Sequence, residues 1–249
     1  MRLSVVIPAY NEQARLPGTL ALYLPSLPAD AEVLVVDDGS VDATSAMARA
    51  VAAADGRVRL IRLPTNRGKG YAVRTGVLSA AGDRVLFADA DAATPIGELA
   101  RLSAAMDAGA DVAIGSRERL PANLRVRTTP WRRFAGRTFH QIVRYAGVRG
   151  IVDTQCGFKL FRSAVARDLF GRMRTDGFAF DVELLLLAQA SGYRIAEVPV
   201  NWTHQPGSKV RVVRDGLKMA ADVVRLRMRL AASHTVARVA DNVRPSRSP

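Results

Sequence analysis

VLFADADAATP, residues 85–95, is the stretch that decides the fold, because an apolar run ends there in two aspartates separated by one alanine. A buried strand cannot end in Asp89 and Asp91 without either a cation beside them or access to water, since desolvating an unpaired charge is costly. Two interpretations of the pair are open: oxygen ligands for a divalent cation, or capping groups for the helix that follows Pro95.

The rest of the N-terminal half alternates between two patterns. Apolar, β-branched runs lie at residues 3–8, 32–37, 58–63, 84–89 and 111–116, and helical patterns lie between them at about 12–26, 42–54, 70–81 and 96–108. Continuous apolar strands that alternate with helices predict an α/β fold with a mostly parallel sheet, covered by helices on both faces. In such sheets, ligands bind outside the carboxyl ends of the strands.

Polar or glycine-rich residues follow every one of these runs: PAYNE (8–12), DDGS (37–40), NRGKG (66–70), DAD (89–91) and GSR (115–117). Because parallel strands end at the same edge, we expect these segments to form one site, and this setting favours the cation interpretation of the aspartate pair. The NRGKG loop lacks the spacing of the P-loop and of the dinucleotide fingerprint, which counts against an ATPase and a nicotinamide dehydrogenase.

Composition narrows the class of protein. The 249 residues are 49% hydrophobic, enough for a sizeable core, and no segment reaches the roughly 18 apolar residues that span a bilayer. A single cysteine, Cys156, excludes a disulfide framework and favours a reducing compartment, with the thiol packed as a small residue. We therefore expect a cytoplasmic protein.

Positive charge is concentrated in the C-terminal half. Residues 1–115 hold 11 basic and 13 acidic side chains, whereas residues 116–249 hold 25 and 10. Two basic amphipathic helices are predicted at about 131–147 and 211–231, and the second has an apolar face made of Val213, Leu217, Ala221, Val224 and Met228. These helices either dock on a membrane or pack on the sheet. No nucleic-acid-binding motif accompanies the charge, so we expect no nucleic-acid partner.

Five segments together resemble glycosyltransferase family 2: VVIPAYNE, VVDDGS, NRGKGYAVRTG, FADADAATP and GSR. The later segments GIVDTQCGFKLF, GFAFDVELL and EVPVNW…GSKV resemble its polyprenyl-phosphate hexose synthase group, which includes the dolichyl-phosphate glucosyltransferases. The resemblance implies the GT-A fold and inverting transfer of a hexose from a nucleotide sugar, UDP-glucose being favoured, to a polyprenyl phosphate. UDP-linked galactose, GalNAc or GlcNAc, GDP-mannose and a non-lipid acceptor remain alternatives.

The resemblance also implies roles for particular residues. The donor would be bound by Pro8, Tyr10, Glu12, Asp38, Arg67 and Lys69. Asp89 and Asp91 would hold Mg²⁺ or Mn²⁺ against the diphosphate. The acceptor phosphate would meet Arg117 and either Arg132 or its neighbour Arg133.

Two further roles follow from the same resemblance. Lys209 would close over the diphosphate from a loop, and Asp181 stands where a catalytic carboxylate or a ligand of the sugar hydroxyls is expected. The domain organisation implied is a catalytic domain over residues 1–210, a membrane-associated basic helix over 211–240 and a disordered tail over 241–249. With strand one starting at residue 3, attachment would be peripheral, at the inner face of the plasma membrane.

Overall fold

The computed structural model describes residues 1–118, 126–127, 148–205, 219, 221–226, 228 and 229. The strands in these ranges are β1 (Leu3–Ala9), β2 (Glu32–Asp37), β3 (Val58–Arg62), β4 (Arg84–Ala88), β5 (Val112–Ser116), β6 (Val126–Arg127), β7 (Phe158–Arg162), β8 (Ile195–Pro199) and β9 (Trp202–Thr203). The α-helices are α1 (Leu16–Tyr23), α2 (Thr44–Ala54), α3 (Lys69–Leu78), α4 (Leu99–Asp107), α5 (Ser163–Arg172) and α6 (Phe180–Ala190).

Seven of the described strands form one sheet in the order β3-β2-β1-β4-β7-β5-β8, and β6 pairs with β9 in a separate ribbon. All neighbours in the large sheet are parallel except β7, which runs antiparallel to both β4 and β5. The predicted mostly parallel α/β sheet is confirmed. Because β7 is reversed, it begins at the edge of the sheet where β4 and β5 end.

The core consists of two apolar layers, one on each face of the sheet. Along β1, Val5 and Ile7 contact one layer and Val6 contacts the other, as the alternation of side chains along a strand requires. The first layer also receives α1 and α4, and the second receives α3, α5 and α6. Burial on both faces explains why the strands read as continuous apolar runs.

The predicted helices and the described ones agree in position but differ at their ends. The helix predicted at 12–26 is shorter, because α1 begins at Leu16 and is followed by a 3₁₀ turn, Leu24–Ser26. The helix predicted at 131–147 lies outside the described residues. Among the residues described, no helix combines the length and the apolar character needed to cross a membrane.

The C-terminal helix packs through a side that the sequence analysis did not single out. Residues 219, 221–226, 228 and 229 are helical, and Met219, Val223 and Leu226 are the buried ones. Of the predicted apolar face, Val224 is 57% exposed and Met228 is 60% exposed, so these two residues do not pack on the sheet, and docking of this face on a membrane stays a prediction. The difference arises because the helix has apolar residues on two sides, and hydrophobic periodicity alone does not say which side meets the protein.

Candidate active site

The edge formed by the carboxyl ends of the strands begins with the turn after β2. Asp37 is fully buried and accepts hydrogen bonds from the Ser40 N–H at 2.9 Å and from the Ser45 hydroxyl. Gly39 has a φ of +69°, and a Cβ there would lie 2.5 Å from the carbonyl carbon of Thr65. Asp37 and Gly39 therefore shape the turn that carries Asp38.

Asp38 holds the NRGKG loop through its main chain. Its carboxylate oxygens accept the N–H groups of Arg67 at 2.7 Å and of Gly68 at 2.8 Å. Burial raises the pKa of Asp38, although these two hydrogen bonds oppose the increase. The Arg67 side chain stacks over the Tyr71 ring, with 4.2 Å between Cζ and the ring centroid. Asp38 thus fixes the loop that precedes α3.

Asp89 and Asp91 lie at the end of β4 and each faces a cationic side chain. Lys69 Nζ, from the first residue of α3, lies 2.6 Å from Asp89 Oδ1. An Arg15 nitrogen lies 3.8 Å from Asp91 Oδ2, and the same guanidinium forms two hydrogen bonds with Glu12. Burial would lower the pKa of Lys69, but Asp89 and Asp181 raise it above its ordinary value. Lys69 is therefore a fixed positive charge.

The aspartate pair suits a divalent cation that is shared with a substrate. Burial, and then the charge of Asp89, raise the pKa of Asp91, and a cation between the two carboxylates would oppose this increase. Within the described residues no three His, Cys, Asp or Glu side chains converge as a metal site. Mg²⁺ at nucleotide sites is typically bound by one or two carboxylates, and its remaining ligands come from phosphates and water.

Arg117, directly after β5, is held by Asp153. Its Nε and Nη2 lie 2.7 and 2.8 Å from the two Asp153 oxygens, and its main-chain N–H also donates to Asp153. Burial would lower the pKa of Arg117, but Asp153 raises it, so the guanidinium stays charged. Its Cζ lies 5.4 Å from the Trp202 ring centroid. The bidentate pair leaves the far side of the guanidinium for another anion.

Asp181, in the first turn of α6, is buried against Lys159 of β7. Lys159 Nζ lies 2.6 Å from Asp181 Oδ1 and 2.7 Å from the Cys156 carbonyl oxygen. Burial raises the pKa of Asp181, opposed by Lys159 and then Lys69. Asp181 is only 4% exposed, and this geometry is that of an interior ion pair. Its assignment as catalytic stays a prediction.

The remaining predicted residues fall into two groups. Pro8 is buried within β1, Tyr10 is exposed just beyond it, and Glu12 is engaged by Arg15. These three lie at the same edge as Asp38, and their donor-binding roles stay predictions. Arg132, its alternative Arg133, and Lys209 lie outside the described residues.

Cys156 is fully buried, which raises the pKa of its thiol to about 12 and agrees with the predicted packed residue.

Three residues of this edge were missed from the sequence: Arg15, Asp153 and Lys159. Lys159 had a signal, because it interrupts the apolar run FKLF in a strand that must be buried on both faces. Asp153 had only its place in the motif GIVDTQCGFKLF, and Arg15 had no signal, since their partners Arg117 and Asp91 are 36 and 76 positions away and pairing at such distances is set by the fold.

The fold and this edge are typical of one class of protein, the glycosyltransferases of the GT-A type. The sequence profile described as Glycosyl transferase family 2 matches residues 4–170, which span β1 to most of α5. The chain therefore belongs to glycosyltransferase family 2, as its motifs predicted, and it is a glycosyltransferase.

Curated relatives narrow the comparison. The chain is 41% identical over 239 residues to a dolichyl-phosphate beta-glucosyltransferase of Drosophila melanogaster, covering 90% of this chain and 73% of the relative. The Homo sapiens protein of the same name is 40% identical over 244 residues, covering 92% and 75%. Both relatives carry the name of the group that the later motifs resemble.

Solved structures share the fold. Glucosyl-3-phosphoglycerate synthase from Mycobacterium tuberculosis, in complex with Mn²⁺, UDP-glucose and phosphoglyceric acid, superimposes with a TM-score of 0.69 at 20% identity. The superposition covers 91% of this chain and 79% of that one. At this identity the likeness establishes the GT-A fold.

Proposed function

We propose that this protein transfers glucose from UDP-glucose to a polyprenyl phosphate, with inversion at the anomeric carbon. The observation that carries the proposal is the similarity, over nine tenths of the chain, to proteins named dolichyl-phosphate beta-glucosyltransferase. The arrangement of charges at the sheet edge supports it, because a carboxylate pair and a partly exposed arginine lie at the ends of nearby strands, β4 and β5.

In this reaction an oxygen of the acceptor phosphate forms the new bond to the anomeric carbon. The bond from that carbon to the diphosphate oxygen breaks, and its electron pair leaves with UDP. A phosphate monoester is largely ionised at neutral pH, so the acceptor needs no strong general base. The protein's tasks are therefore positioning and charge stabilisation.

Asp89 and Asp91 are the residues that would hold a divalent cation, Mg²⁺ or Mn²⁺, which would neutralise the departing diphosphate. Lys69 adds a permanent positive charge 2.6 Å from Asp89. Arg117, oriented by Asp153, would bind the acceptor phosphate, with Arg132 as a second phosphate ligand and Lys209 closing over the donor. Pro8, Tyr10, Glu12, Asp38 and Arg67 would line the nucleoside pocket.

Asp181 fits a positioning role better than that of a general base. A base must reach the proton that it removes, whereas this carboxylate is buried and its Oδ1 is engaged by Lys159. An ionised acceptor also has no proton to lose. We therefore assign Asp181 to the support of the site.

The acceptor's lipid chain calls for contact with a membrane surface. Val224 and Met228 are exposed, and Arg225 and Arg229 lie beside them on the same helix. Apolar residues flanked by arginines suit the interface of an anionic bilayer. We propose peripheral attachment through the predicted helix at residues 211–240, at the cytoplasmic face of the plasma membrane, beside a catalytic domain at residues 1–210 and a disordered tail at 241–249.

The test is a transfer assay with the purified chain, Mn²⁺ or Mg²⁺, and radiolabelled UDP-glucose, UDP-galactose, UDP-GlcNAc, UDP-GalNAc or GDP-mannose. The acceptors are undecaprenyl phosphate, dolichyl phosphate and, as the soluble alternative, 3-phosphoglycerate. We expect label from UDP-glucose to enter the organic phase, to require the metal and to be lost in Asp91→Asn. Transfer only to 3-phosphoglycerate would overturn the proposed acceptor, and transfer only from another sugar nucleotide would overturn the proposed donor.

A further inference from the structure

We propose that Lys159 is a positioning residue for the proposed reaction, acting through the Cys156–Gly157 peptide to hold Asp89 in place for a metal–nucleotide complex. The inference rests on the proposed function for its substrate but on the geometry of β4 and β7 for its mechanism. Lys159 is 1% exposed, and it lies within the sheet opposite Phe87 of β4 and Ile114 of β5.

The first step of the connection is from Lys159 to the start of β7. Its ammonium donates to the Cys156 carbonyl oxygen at 2.7 Å and to Asp181 at 2.6 Å. A buried ammonium is stable only if its charge is neutralised and its N–H groups have acceptors. Here one acceptor lies just before β7 and the other lies in α6. Lys159 thereby fixes the peptide that precedes Gly157.

The second step is from Gly157 to Asp89. The Gly157 carbonyl oxygen accepts the Asp89 N–H at 3.0 Å. A Cβ on Gly157 would lie 2.0 Å from Asp89 Oδ2 and 2.2 Å from its Cγ, so the aspartate side chain occupies the space that a side chain would need. The main chain at 156–157 therefore sets both the backbone and the carboxylate position of Asp89.

The antiparallel insertion of β7 is what makes this connection available. Each parallel strand reaches the site with its last residues, whereas β7 reaches it with its first ones, directly beside the end of β4. Lys159, the second residue of β7, can therefore donate both to the Cys156 carbonyl oxygen just before the strand and to Asp181.

Lys159 could also act simply as the counter-ion of Asp181. The two roles predict different results for a double variant that removes both charges. If charge neutralisation were its whole contribution, Lys159→Met combined with Asp181→Asn would restore the site, because no buried charge would remain. If the bond to the Cys156 carbonyl matters, the double variant stays impaired. Lys159→Arg keeps a charge and a donor and would recover part of the function in either case.

The experiment uses the full chain and measures UDP binding by calorimetry with saturating Mn²⁺, beside KM, kcat and the unfolding midpoint. We expect Lys159→Met to weaken Mn²⁺-dependent UDP binding by about tenfold or more, the range seen when groups that orient metal ligands are removed. We expect the Lys159→Met/Asp181→Asn double variant to remain weakened, and Lys159→Arg to bind more tightly than Lys159→Met.

Arg84→Met is the matched control, because Arg84 lies at the opposite end of β4 and pairs with Asp107 at 2.5 Å. The Arg84 side chain is only 12% exposed, so its replacement is expected to lower the unfolding midpoint through lost packing while leaving UDP affinity within about twofold. Gly157→Ala tests the second step independently and serves if Lys159→Met does not fold. It is expected to weaken UDP binding with Mn²⁺ by a similar factor.

The outcomes separate this inference from the proposed function. If Lys159→Met lowers the unfolding midpoint but leaves UDP affinity unchanged, the role of Lys159 is structural only. If the double variant recovers the full UDP affinity, Lys159 is only a counter-ion. Either result overturns the inference. A wild-type chain that binds UDP with Mn²⁺ but transfers no glucose would overturn the proposed function, and the Lys159 comparison would still be decided by the binding measurement.

Discussion

Lys69 Nζ and Asp89 Oδ1 lie 2.6 Å apart, and the two residues come from opposite ends of different elements. The lysine is the first residue of α3 and the aspartate directly follows β4, so the contact joins the NRGKG loop to the aspartate pair. An ammonium in this position occupies one carboxylate oxygen while it lies beside the expected diphosphate. Under the proposed function, we expect Lys69 to exchange Asp89 for a phosphate when nucleotide binds.

This exchange predicts opposite effects of Lys69→Met on metal binding and on turnover. Mn²⁺ affinity without nucleotide is expected to rise, because Asp89 loses its competing cation. The kcat for transfer is expected to fall about 100-fold, the usual cost of removing a charge that stabilises a leaving group. Calorimetry with Mn²⁺ alone and label transfer to polyprenyl phosphate measure the two effects.

Arg74→Met is the control for Lys69→Met, since Arg74 lies on the same helix and donates to the Gly171 carbonyl oxygen away from the site. It is expected to leave both measurements within about twofold, because charges well separated in solvent are screened. A parallel loss of Mn²⁺ affinity and kcat in Lys69→Met would contradict the exchange.

Gly68→Ala is expected to destabilise the protein and weaken donor binding together. Gly68 has a φ of +108°, and an added Cβ would lie 2.5 Å from the Asp176 carbonyl oxygen. The strained conformation costs about 1–3 kcal/mol. Because the Gly68 N–H donates to Asp38, any shift of the loop also disturbs the predicted nucleoside pocket. Thermal unfolding and UDP titration measure both losses.

Gly18→Ala is the matched control for Gly68→Ala. Gly18 lies in α1, with nothing within 4 Å of an added Cβ and no positive φ. Alanine there is expected to stabilise the helix by about 0.5–1 kcal/mol. If both alanine variants changed stability alike, the loop geometry at Gly68 would not be the cause.

The sequence predicted the five strands β1 to β5 well because each is buried on both faces and followed by a polar segment. The same reasoning brought Asp38, Lys69 and Asp89 to one edge, since parallel strands share the direction in which they end. Local periodicity and the direction of the chain were enough for these residues.

The antiparallel strand β7 could not be predicted in the same way. Its position depends on the order of the strands, and the order β4-β7-β5 joins segments about 75 and 45 residues apart. The pairs that follow from it, Arg117 with Asp153 and Lys159 with Asp181, were hidden for that reason. The packing side of the C-terminal helix was missed because both sides are apolar.

Asp153→Asn is expected to change stability in a way that depends on pH. Burial would raise the pKa of Asp153, but the Arg117 guanidinium lowers it below its ordinary value of about 3.9. The folded state thus binds the proton less tightly than the unfolded state, so the stabilisation is fully present above about pH 4 and is lost as the pH falls through the folded pKa. The free energy of unfolding of the wild type should exceed that of the variant by about 2 kcal/mol at pH 7.

Denaturant unfolding from pH 7 down to pH 3 measures this gap, which should shrink below about pH 4. Asp107→Asn provides the comparison, because Asp107 also pairs with an arginine but its side chain is 67% exposed. Its effect is expected to stay near zero throughout, as for most exposed ion pairs. A gap at Asp153 that is constant with pH would mean that shape, and not charge, holds Arg117.

Membrane binding is expected to depend on the exposed side of the C-terminal helix. Replacing Val224 and Met228 by serine removes apolar surface that is open to solvent, so folding should be unaffected while affinity for phosphatidylglycerol vesicles falls about tenfold. Leu22→Ser, at a 65% exposed position on α1, is the control and should bind vesicles as wild type does. Vesicle sedimentation at two salt concentrations measures the affinity. The affinity of the wild-type chain should decrease as salt is added, because the flanking arginines contribute electrostatically. Equal binding by the double variant and wild type would place the membrane contact elsewhere on the chain.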